Sequence, residues 1–145
     1  MRLREHVIAS TVVAGGLYAM NRSLPMAAGV FVGGVLVDMD HFIDYWREQG
    51  MRFDPHHFMD VCNHYQLRQI YLILHSYELL LPFGIFAVLL HSAFFWGALA
   101  GYVVHMLMDQ TGNGAGPWSY FFIYRWKKGF YHNRIVTIPG SRNEL

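Results

Sequence analysis

The sequence predicts an all-α protein, a membrane-embedded bundle of about four helices with a cluster of His and Asp side chains at its cytoplasmic side. The chain of 145 residues is 54% hydrophobic and only 14% charged, whereas an average soluble domain has about 25% charged residues. It contains four long apolar stretches, and its basic residues concentrate at one end of the bundle that these stretches would form. Together these observations favour a membrane protein.

Each predicted helix corresponds to one apolar stretch. The four stretches cover residues 7–20, 24–37, 70–90 and 92–108. A membrane-spanning helix needs roughly 20 residues, with about 17 as a lower limit, so the third and fourth stretches qualify by length. The first two reach it only with polar flanks, as when the second continues to Ile43. Buried helices of a soluble protein would produce similar stretches, so length leaves that alternative open.

The distribution of charge predicts the orientation. With four spans, the N-terminus, the segment 38–69 and the C-terminal tail lie on one side, and only Arg22 among the basic residues lies on the other. The basic residues on the shared side are Arg2, Arg4, Arg47, Arg52, Arg68, Arg125, Lys127, Lys128, Arg134 and Arg142. Cytoplasmic segments are the ones enriched in Lys and Arg. We therefore expect a bacterial or archaeal cytoplasmic membrane, with both termini cytoplasmic.

The domain organisation follows from these spans. We expect a single helical membrane domain over residues 1–145, with a cytoplasmic loop region at 38–69 and an interfacial aromatic and basic tail at 118–145. The tail contains WSYFFIYRWKKGFY, in which aromatic side chains alternate with cations, as is typical of segments at lipid headgroups. Membrane lipid is therefore an expected partner. An ordinary surface helix is the alternative interpretation of the tail.

Two pairs of glycines predict close helix packing. Gly29 with Gly33, and Gly97 with Gly101, have the GxxxG spacing that lets helix backbones approach closely in lipid. Ordinary core packing is the alternative interpretation of these glycines.

Several function classes are disfavoured. The net charge of +1 offers no electrostatic basis for binding nucleic acid. Cys62 is the only cysteine, which excludes an internal disulfide and a CxxC metal ribbon. The stretch TGNGAGP at 111–117 is a helix stop and loop, because it lacks the strand, the Lys and the spacing of a phosphate-binding loop.

Ionisable side chains in the apolar stretches predict a functional site. Such groups are costly in a membrane and normally face a partner or a functional cavity. The predicted topology brings them to one cytoplasmic layer from all four helices. The predicted metal ligands are His6, Asp38, Asp40, His41, His75, His105 and Asp109. Glu78, in the third stretch, is the predicted general base or a further ligand.

The spacing of these residues supports a shared metal site. His105 and Asp109 are four residues apart and therefore lie on one helix face. His75 and Glu78 are three residues apart, as are Asp38 and His41, so each pair is expected to share one helix face. Asp40 faces away from Asp38 unless the chain unwinds between them. Mixed imidazole and carboxylate ligands favour a divalent transition metal, with zinc expected and manganese or iron as alternatives. A hydrogen-bonded structural network is the alternative to a metal site.

The remaining histidines are predicted to lie outside the cluster. His56, His57 and His64 are expected in a solvated loop on the same side as the cluster, from which one could supply a further ligand. His91 is expected to be structural on the opposite side, and His132 to be exposed in the tail.

The same residues resemble the LexA-regulated, membrane-bound metal-dependent hydrolase family. That family has an early His, a PDxDH-type motif, a THS-type motif and a GYxxHxxxD-type motif. The matching residues here, in the same order, are His6, Asp38 to His41, His75 with Ser76, and Gly101 to Asp109. The chain departs from the family at Val37, where Pro is common, and at Ile70 and Tyr71, where His-Arg is common. The family is distantly similar to zinc-dependent phospholipase C.

Two functions are consistent with this pattern. The resemblance implies a metal-dependent hydrolase of a phosphoester or phospholipid-like substrate, in which a metal ion activates water. The alternative is a non-catalytic membrane protein whose His/Asp site is structural or senses metal. Transport is disfavoured because the opposite side of the membrane lacks comparable ionisable residues.

Overall fold

The fold was analysed in a computed structural model that describes residues 3–51, 54–64 and 66–136. Throughout these ranges the chain is helical or irregular, and its only extended pairing is two isolated bridges, Gln69 with Tyr131 and Ala115 with Val136. The predicted all-α class is therefore confirmed. The predictions made for Arg2, Arg52, Arg142 and the end of the tail lie outside the described residues.

The described helices differ greatly in length. They are α1 (Leu3–Asn21), α2 (Leu24–Val35), α3 (Asp40–Gln49), α4 (Pro55–Asn63), α5 (Leu80–Leu90), α6 (Ala93–Gly112), α7 (Phe122–Lys127) and α8 (His132–Ile135). Two 3₁₀ turns, Leu36–Met39 and Tyr77–Leu79, lead into α3 and α5. The helices α1, α2, α5 and α6 pack against one another and are called the apolar bundle below.

The second apolar stretch becomes one continuous helical run, Leu24–Gln49. The Ser23 side chain accepts a hydrogen bond from the amide of Met26, and Pro25 occupies the first turn, where its missing N–H costs nothing. The run ends at Gly50, whose positive φ suits glycine. Within the described chain it is the one helix long and apolar enough to cross a membrane. The predicted cytoplasmic loop region at 38–69 contains two helices, α3 and α4.

Glycine makes the contact between α2 and α6. A Cβ added to Gly29 or Gly33 would overlap the carbonyl oxygen of Phe94 or Ala98, respectively. A Cβ added to Gly97 or Gly101 would likewise overlap a carbonyl oxygen of α2. The two backbones therefore touch directly, as the GxxxG spacing predicts.

The third apolar stretch does not form one helix. Residues 70–74 are largely irregular, and α5 begins only at Leu80 after a short 3₁₀ turn. Leu72, although it is not glycine, has a φ of 45°. The expectation that His75 and Glu78 share one helix face is therefore wrong. The physical reason is that other side chains take the backbone hydrogen bonds of this segment, as described below.

The outer faces of the apolar bundle remain apolar. Ile8 and Val12 on α1, and Leu81 and Leu89 on α5, are each more than 60% exposed. Exposed apolar patches of this kind mark surfaces that contact lipid or another protein.

A second packed region, called the cap, covers one end of the bundle. It comprises α3, residues 66–79, α7 and α8, and α4 packs beside it. Its buried core is formed by Tyr45, Phe58, Val61, Leu67, Ile70, Leu72 and Ile135. The prediction for His132 is wrong, because its side chain is buried with Nδ1 lying 3.0 Å from the Leu67 carbonyl oxygen.

Candidate metal centre

Four side chains from three separate parts of the chain meet where the bundle joins the cap. Asp38 comes from the 3₁₀ turn, His75 from the irregular segment, and both His105 and Asp109 from α6. The Nε2 atoms of the two histidines lie 3.0 Å apart. Asp38 Oδ1 lies 3.4 and 3.6 Å from these nitrogens, and Asp109 Oδ2 lies 3.3 and 3.5 Å from them.

Each imidazole nitrogen lies at the spacing of a tetrahedral metal site from the other nitrogen and from both carboxylate oxygens. With zinc–ligand bonds of about 2.0–2.1 Å, the corners of a regular tetrahedron lie about 3.3–3.4 Å apart. The measured separations of 3.0–3.6 Å fall on both sides of that value. The donor set of two imidazole nitrogens and two carboxylate oxygens also suits zinc.

Outer partners orient both imidazoles for binding. His105 Nδ1 lies 2.8 Å from the carbonyl oxygen of Gly34, which can only accept, so Nδ1 carries the hydrogen. His75 Nδ1 donates in the same way to Asp40 Oδ2 at 3.2 Å, and Oδ1 of this carboxylate lies 2.9 Å away. In the neutral tautomers both Nε2 atoms therefore carry a lone pair that can bind a metal ion. Such histidine–carboxylate and histidine–carbonyl pairs are the usual outer partners of metal ligands.

The carboxylate charges and nitrogen lone pairs of the cluster are stabilised only by a positive charge among them. Burial disfavours a charged imidazole, but the charge of Asp40 and the hydrogen bonds that His75 donates to Asp109 and Asp38 outweigh burial and raise the pKa of His75 well above its ordinary value. Without positive charge, two nitrogen lone pairs and two carboxylate oxygens would repel one another across about 3 Å. Either a proton on His75 or a metal ion at the centre removes this repulsion.

His6 and His41 lie at opposite edges of this centre. His6 Nε2 is 3.0 Å from Asp109 Oδ1, and its ring stacks on His105. His41 Nε2 is 3.7 Å from Asp38 Oδ1. Ligand atoms of His6, His105 and Asp109, and of Asp38, His41 and His75, form two groups that could each hold an ion. The structure thus brings six of the predicted ligands together.

Asp40 reaches the site in a different role. The 3₁₀ turn Leu36–Met39 lets both Asp38 and Asp40 contact His75. The sequence predicted that both carboxylates could face the site only if the chain unwinds there. However, Asp40 meets Nδ1, the nitrogen that faces away from the tetrahedron. Its Oδ2 also accepts hydrogen bonds from the amides of Leu74 and His75, at 2.8 and 3.3 Å. Asp40 therefore orients His75, and its prediction as a direct ligand finds no support in this geometry.

A ladder of three carboxylates on α3 holds the segment that carries His75. Asp40, Asp44 and Glu48 are four residues apart and lie on one helix face. Each accepts hydrogen bonds from two successive amides: Leu74 and His75, Tyr71 and Leu72, and Arg68 and Gln69. The ladder replaces the backbone pairing that a strand or helix would provide. The sequence signal was the Asp40-x₃-Asp44-x₃-Glu48 repeat.

Arg125 and Tyr102 bind the carbonyl side of the same segment. The Arg125 guanidinium donates to the carbonyl oxygens of Leu72 and His75, at 2.9 and 2.8 Å, and to Ser76 Oγ. The Tyr102 hydroxyl lies 2.7 and 2.6 Å from the carbonyl oxygens of Leu74 and Ser76. Arg125 is only 1% exposed, so its prediction as an interfacial cation is wrong.

Glu78 lies in a different structural setting. Its carboxylate accepts hydrogen bonds from the amides of Phe122 and Ile123, at 3.0 and 3.1 Å, and so fixes the start of α7. Burial raises its pKa, but these amide bonds outweigh that effect and keep the pKa of Glu78 below its ordinary value. This geometry gives Glu78 a structural contact and provides no support for the predicted role of general base.

The metal centre opens onto a cavity of about 620 Å³. Asp38, His41 and Asp109 line it, together with mainly apolar side chains from α3, α4 and residues 67–72. The side chains of Asp38 and His41 are 16% and 30% exposed, whereas His75 and His105 are buried. The accessible edge of the site is therefore the Asp38–His41 edge.

Other titratable groups near the cavity have structural contacts. Burial raises the pKa of the Cys62 thiol to about 12, so it is protonated at neutral pH and is a poor nucleophile. His57 Nδ1 lies 2.8 Å from the Tyr45 hydroxyl, and His64 Nδ1 lies 2.9 Å from Asp60. These histidines belong to α4 and the residue after it, where the sequence predicted a solvated loop.

No protein-family model, curated protein or solved structure matches the chain.

Proposed function

We propose that this protein is a membrane-bound, metal-dependent hydrolase of a phosphoester or phospholipid-like substrate. The observation that carries the proposal is the tetrahedron of His75 Nε2, His105 Nε2, Asp38 Oδ1 and Asp109 Oδ2. A divalent ion bound there, zinc in the first place and manganese or iron as alternatives, would act as a Lewis acid and lower the pKa of a bound water to about 7.

The residues around the tetrahedron have distinct roles in this proposal. Asp40 and the Gly34 carbonyl hold the imidazoles of His75 and His105 in the tautomer that binds metal. His41 lies at the accessible edge, where it can bind the substrate or take a proton from water. Glu78 has no part in this arrangement.

The shape of the cavity supports a substrate with a polar head and an apolar part. Site residues occupy one part of its lining, and Phe42, Phe58, Val61 and Leu72 are among the apolar residues of the rest. A volume of about 620 Å³ is within the usual range for small-molecule sites. A phosphoester group would lie at the Asp38–His41 edge, with its hydrocarbon part against the apolar wall.

Membrane location is part of the proposal. One helix, Leu24–Gln49, has the length and composition to span a bilayer, and the outer faces of α1 and α5 expose large apolar side chains. The sorting of Lys and Arg along the sequence supports a cytoplasmic position for the metal centre and both termini. If the purified chain remained monodisperse without detergent, this part of the proposal would be wrong.

Metal content is the first test. The chain is purified in detergent and analysed for bound elements, beside the variants His105→Ala and Asp38→Ala. We expect stoichiometric zinc, manganese or iron in the unsubstituted protein and a large loss in both variants. A well-folded protein that lacks metal and does not take it up on addition would refute the metal centre.

A structural metal site is the second candidate, because four protein ligands complete the tetrahedron and closed four-ligand sites are typical of structural zinc. His41→Ala distinguishes the two functions, since His41 lies outside the four corners. In a hydrolase, this variant retains the metal of the tetrahedron but loses hydrolysis of a phosphoester substrate. If the site is structural, the unsubstituted protein binds metal but hydrolyses neither short-chain nor long-chain phosphoesters.

A further inference from the structure

We infer that the cap carries a lipid-binding surface that docks on the anionic headgroups of the bilayer. This surface, called the anchor patch, consists of the exposed side chains of Trp118, Ile123, Trp126, Lys127 and Lys128. The inference builds on the proposed membrane location but not on the metal centre or its chemistry.

The apolar part of the anchor patch has no protein cover in the structure. Trp126, Trp118 and Ile123 are 66%, 59% and 54% exposed. Two indole rings and an aliphatic side chain on one short segment are costly to leave in water. Tryptophan is enriched at membrane interfaces because its ring is apolar and its N–H remains hydrogen-bonded at headgroup depth.

The position of the anchor patch matches the level at which the bundle would enter lipid. The Glu78 carboxylate binds the first amides of α7, and the rings of Tyr77 and Phe121 lie 5.3 Å apart. Both contacts hold α7 beside the start of α5, whose Leu81 is 72% exposed. The anchor patch therefore continues the apolar outer face of α5 at the end that carries the metal centre.

Cations surround the apolar side chains. Lys127 and Lys128 are exposed, as are Arg47, Arg68 and Arg134 in the same part of the cap. Four of them lie over aromatic rings: Arg47 over Tyr71 at 3.9 Å, Lys128 over Tyr124 at 5.5 Å, and Arg68 and Arg134 over Tyr131 at 5.8 and 4.9 Å.

The neighbouring carboxylates of Glu48 and Glu78 are both bound to backbone amides. Positive charge beside exposed tryptophan fits an anionic bilayer surface, which attracts lysine side chains.

Depth-resolved fluorescence quenching tests the inference. Trp46, Trp96 and Trp118 are changed to Phe so that Trp126 is the only fluorophore, and the full chain is placed in nanodiscs. The probes are phosphatidylcholine and phosphatidylglycerol brominated either near the headgroup or near the chain end, and aqueous iodide. We expect strong quenching by the shallow bromines, weak quenching by the deep ones, and protection from iodide.

Charge variants test the preference for anionic lipid. Brominated phosphatidylglycerol should be enriched near Trp126 by about fivefold or more over brominated phosphatidylcholine, which corresponds to roughly 1 kcal/mol or more. Lys127→Gln with Lys128→Gln should abolish this preference, whereas Arg22→Gln at the opposite end of the bundle should retain it. In the protein that retains Lys127 and Lys128, raising the salt concentration should also weaken this preference.

Two results would overturn the inference. If iodide quenched Trp126 freely and neither brominated lipid quenched it, the anchor patch would face water or a protein partner. In the protein that retains both lysines, equal quenching by the two lipids would refute the preference for anionic lipid. Metal content, measured on the same samples, separates this inference from the proposed function, because the lysine variants should bind metal normally.

Discussion

The apolar bundle and the cap are held together by different kinds of interaction. In the bundle, α2 and α6 touch backbone to backbone through glycines, and their backbone–backbone hydrogen bonds are internal to each helix. In the cap, the segment 68–76 is irregular, and side chains of α3, α6 and α7 satisfy its backbone. The bundle therefore depends on small side chains, and the cap depends on particular polar groups.

The candidate metal centre lies where these two regions meet, and its residues come from both. The bundle provides His6, His105 and Asp109 on regular helices, whereas the cap provides His75 on a segment that has no regular structure. Leu72, three residues before His75, keeps a φ of 45°. Unfavourable backbone conformations of this kind persist where surrounding contacts determine them, and they cluster at functional sites. Four predictions test the comparison, from the largest expected effect to the smallest.

Arg125→Met should damage the cap most. Arg125 is a buried cation that donates four hydrogen bonds. The substitution removes all four and leaves the carbonyls of Leu72, His75 and Ser119 without this donor. We expect a loss of about 3 kcal/mol or more in the free energy of unfolding, measured by denaturant titration in detergent, and a loss of bound metal.

Lys128→Met is the matched control for Arg125→Met. Lys128 is exposed, so we expect its substitution to change stability by less than about 0.5 kcal/mol. An Arg125→Met protein with normal stability and normal metal content would show that the cap does not depend on this network.

Gly97→Ala should damage the bundle through packing alone. The new methyl group would overlap the Met26 carbonyl oxygen, so α2 and α6 must separate, at a cost of about 1–3 kcal/mol. Gly84→Ala is the control, because no atom lies near its added Cβ, and it should stabilise α5 by about 0.5–1 kcal/mol. The free energy of unfolding measures both. Equal effects of the two substitutions would contradict direct backbone contact.

Asp40→Asn should weaken metal binding without abolishing it. An outer partner of a metal ligand typically contributes 10–100-fold in affinity, whereas loss of a direct ligand such as Asp38 should remove binding almost completely. A competition assay with a zinc chelator measures the difference. Asp44→Asn is the control, since Asp44 binds only the amides of Tyr71 and Leu72. Complete loss of metal in Asp40→Asn would make Asp40 a direct ligand after all.

Substitution of Glu78 should have the smallest effect, visible only in how the free energy of unfolding depends on pH. Its pKa in the folded protein lies below the ordinary value of 4.5. The contribution to stability is therefore fully present above about pH 4.5 and is lost as the pH falls through the folded-state pKa. We expect the difference in unfolding free energy between the unsubstituted protein and Glu78→Gln to shrink in that range. A difference that is constant from pH 7 to pH 3 would contradict this assignment.

The sequence alone predicted the helical class, the GxxxG contact and most of the cluster. Helix periodicity and glycine spacing are local properties, and ionisable residues at the ends of apolar stretches must seek partners. It did not predict the irregular segment 70–76, since an apolar run such as Ile70 to Leu90 is equally compatible with a helix. It also misplaced Arg125 and His132, because burial of a polar side chain depends on distant partners.

By itself, then, the sequence determined which residue types could form a site and at which end of the bundle they would lie. Only the tertiary structure decided that Asp40 contacts the outer nitrogen of His75, that Asp38 is a corner of the tetrahedron, and that Glu78 is elsewhere. The physical reason is that His75 lies in a segment without its own hydrogen-bonding pattern. Its position is fixed by carboxylates of α3 and by Arg125, which are distant in sequence.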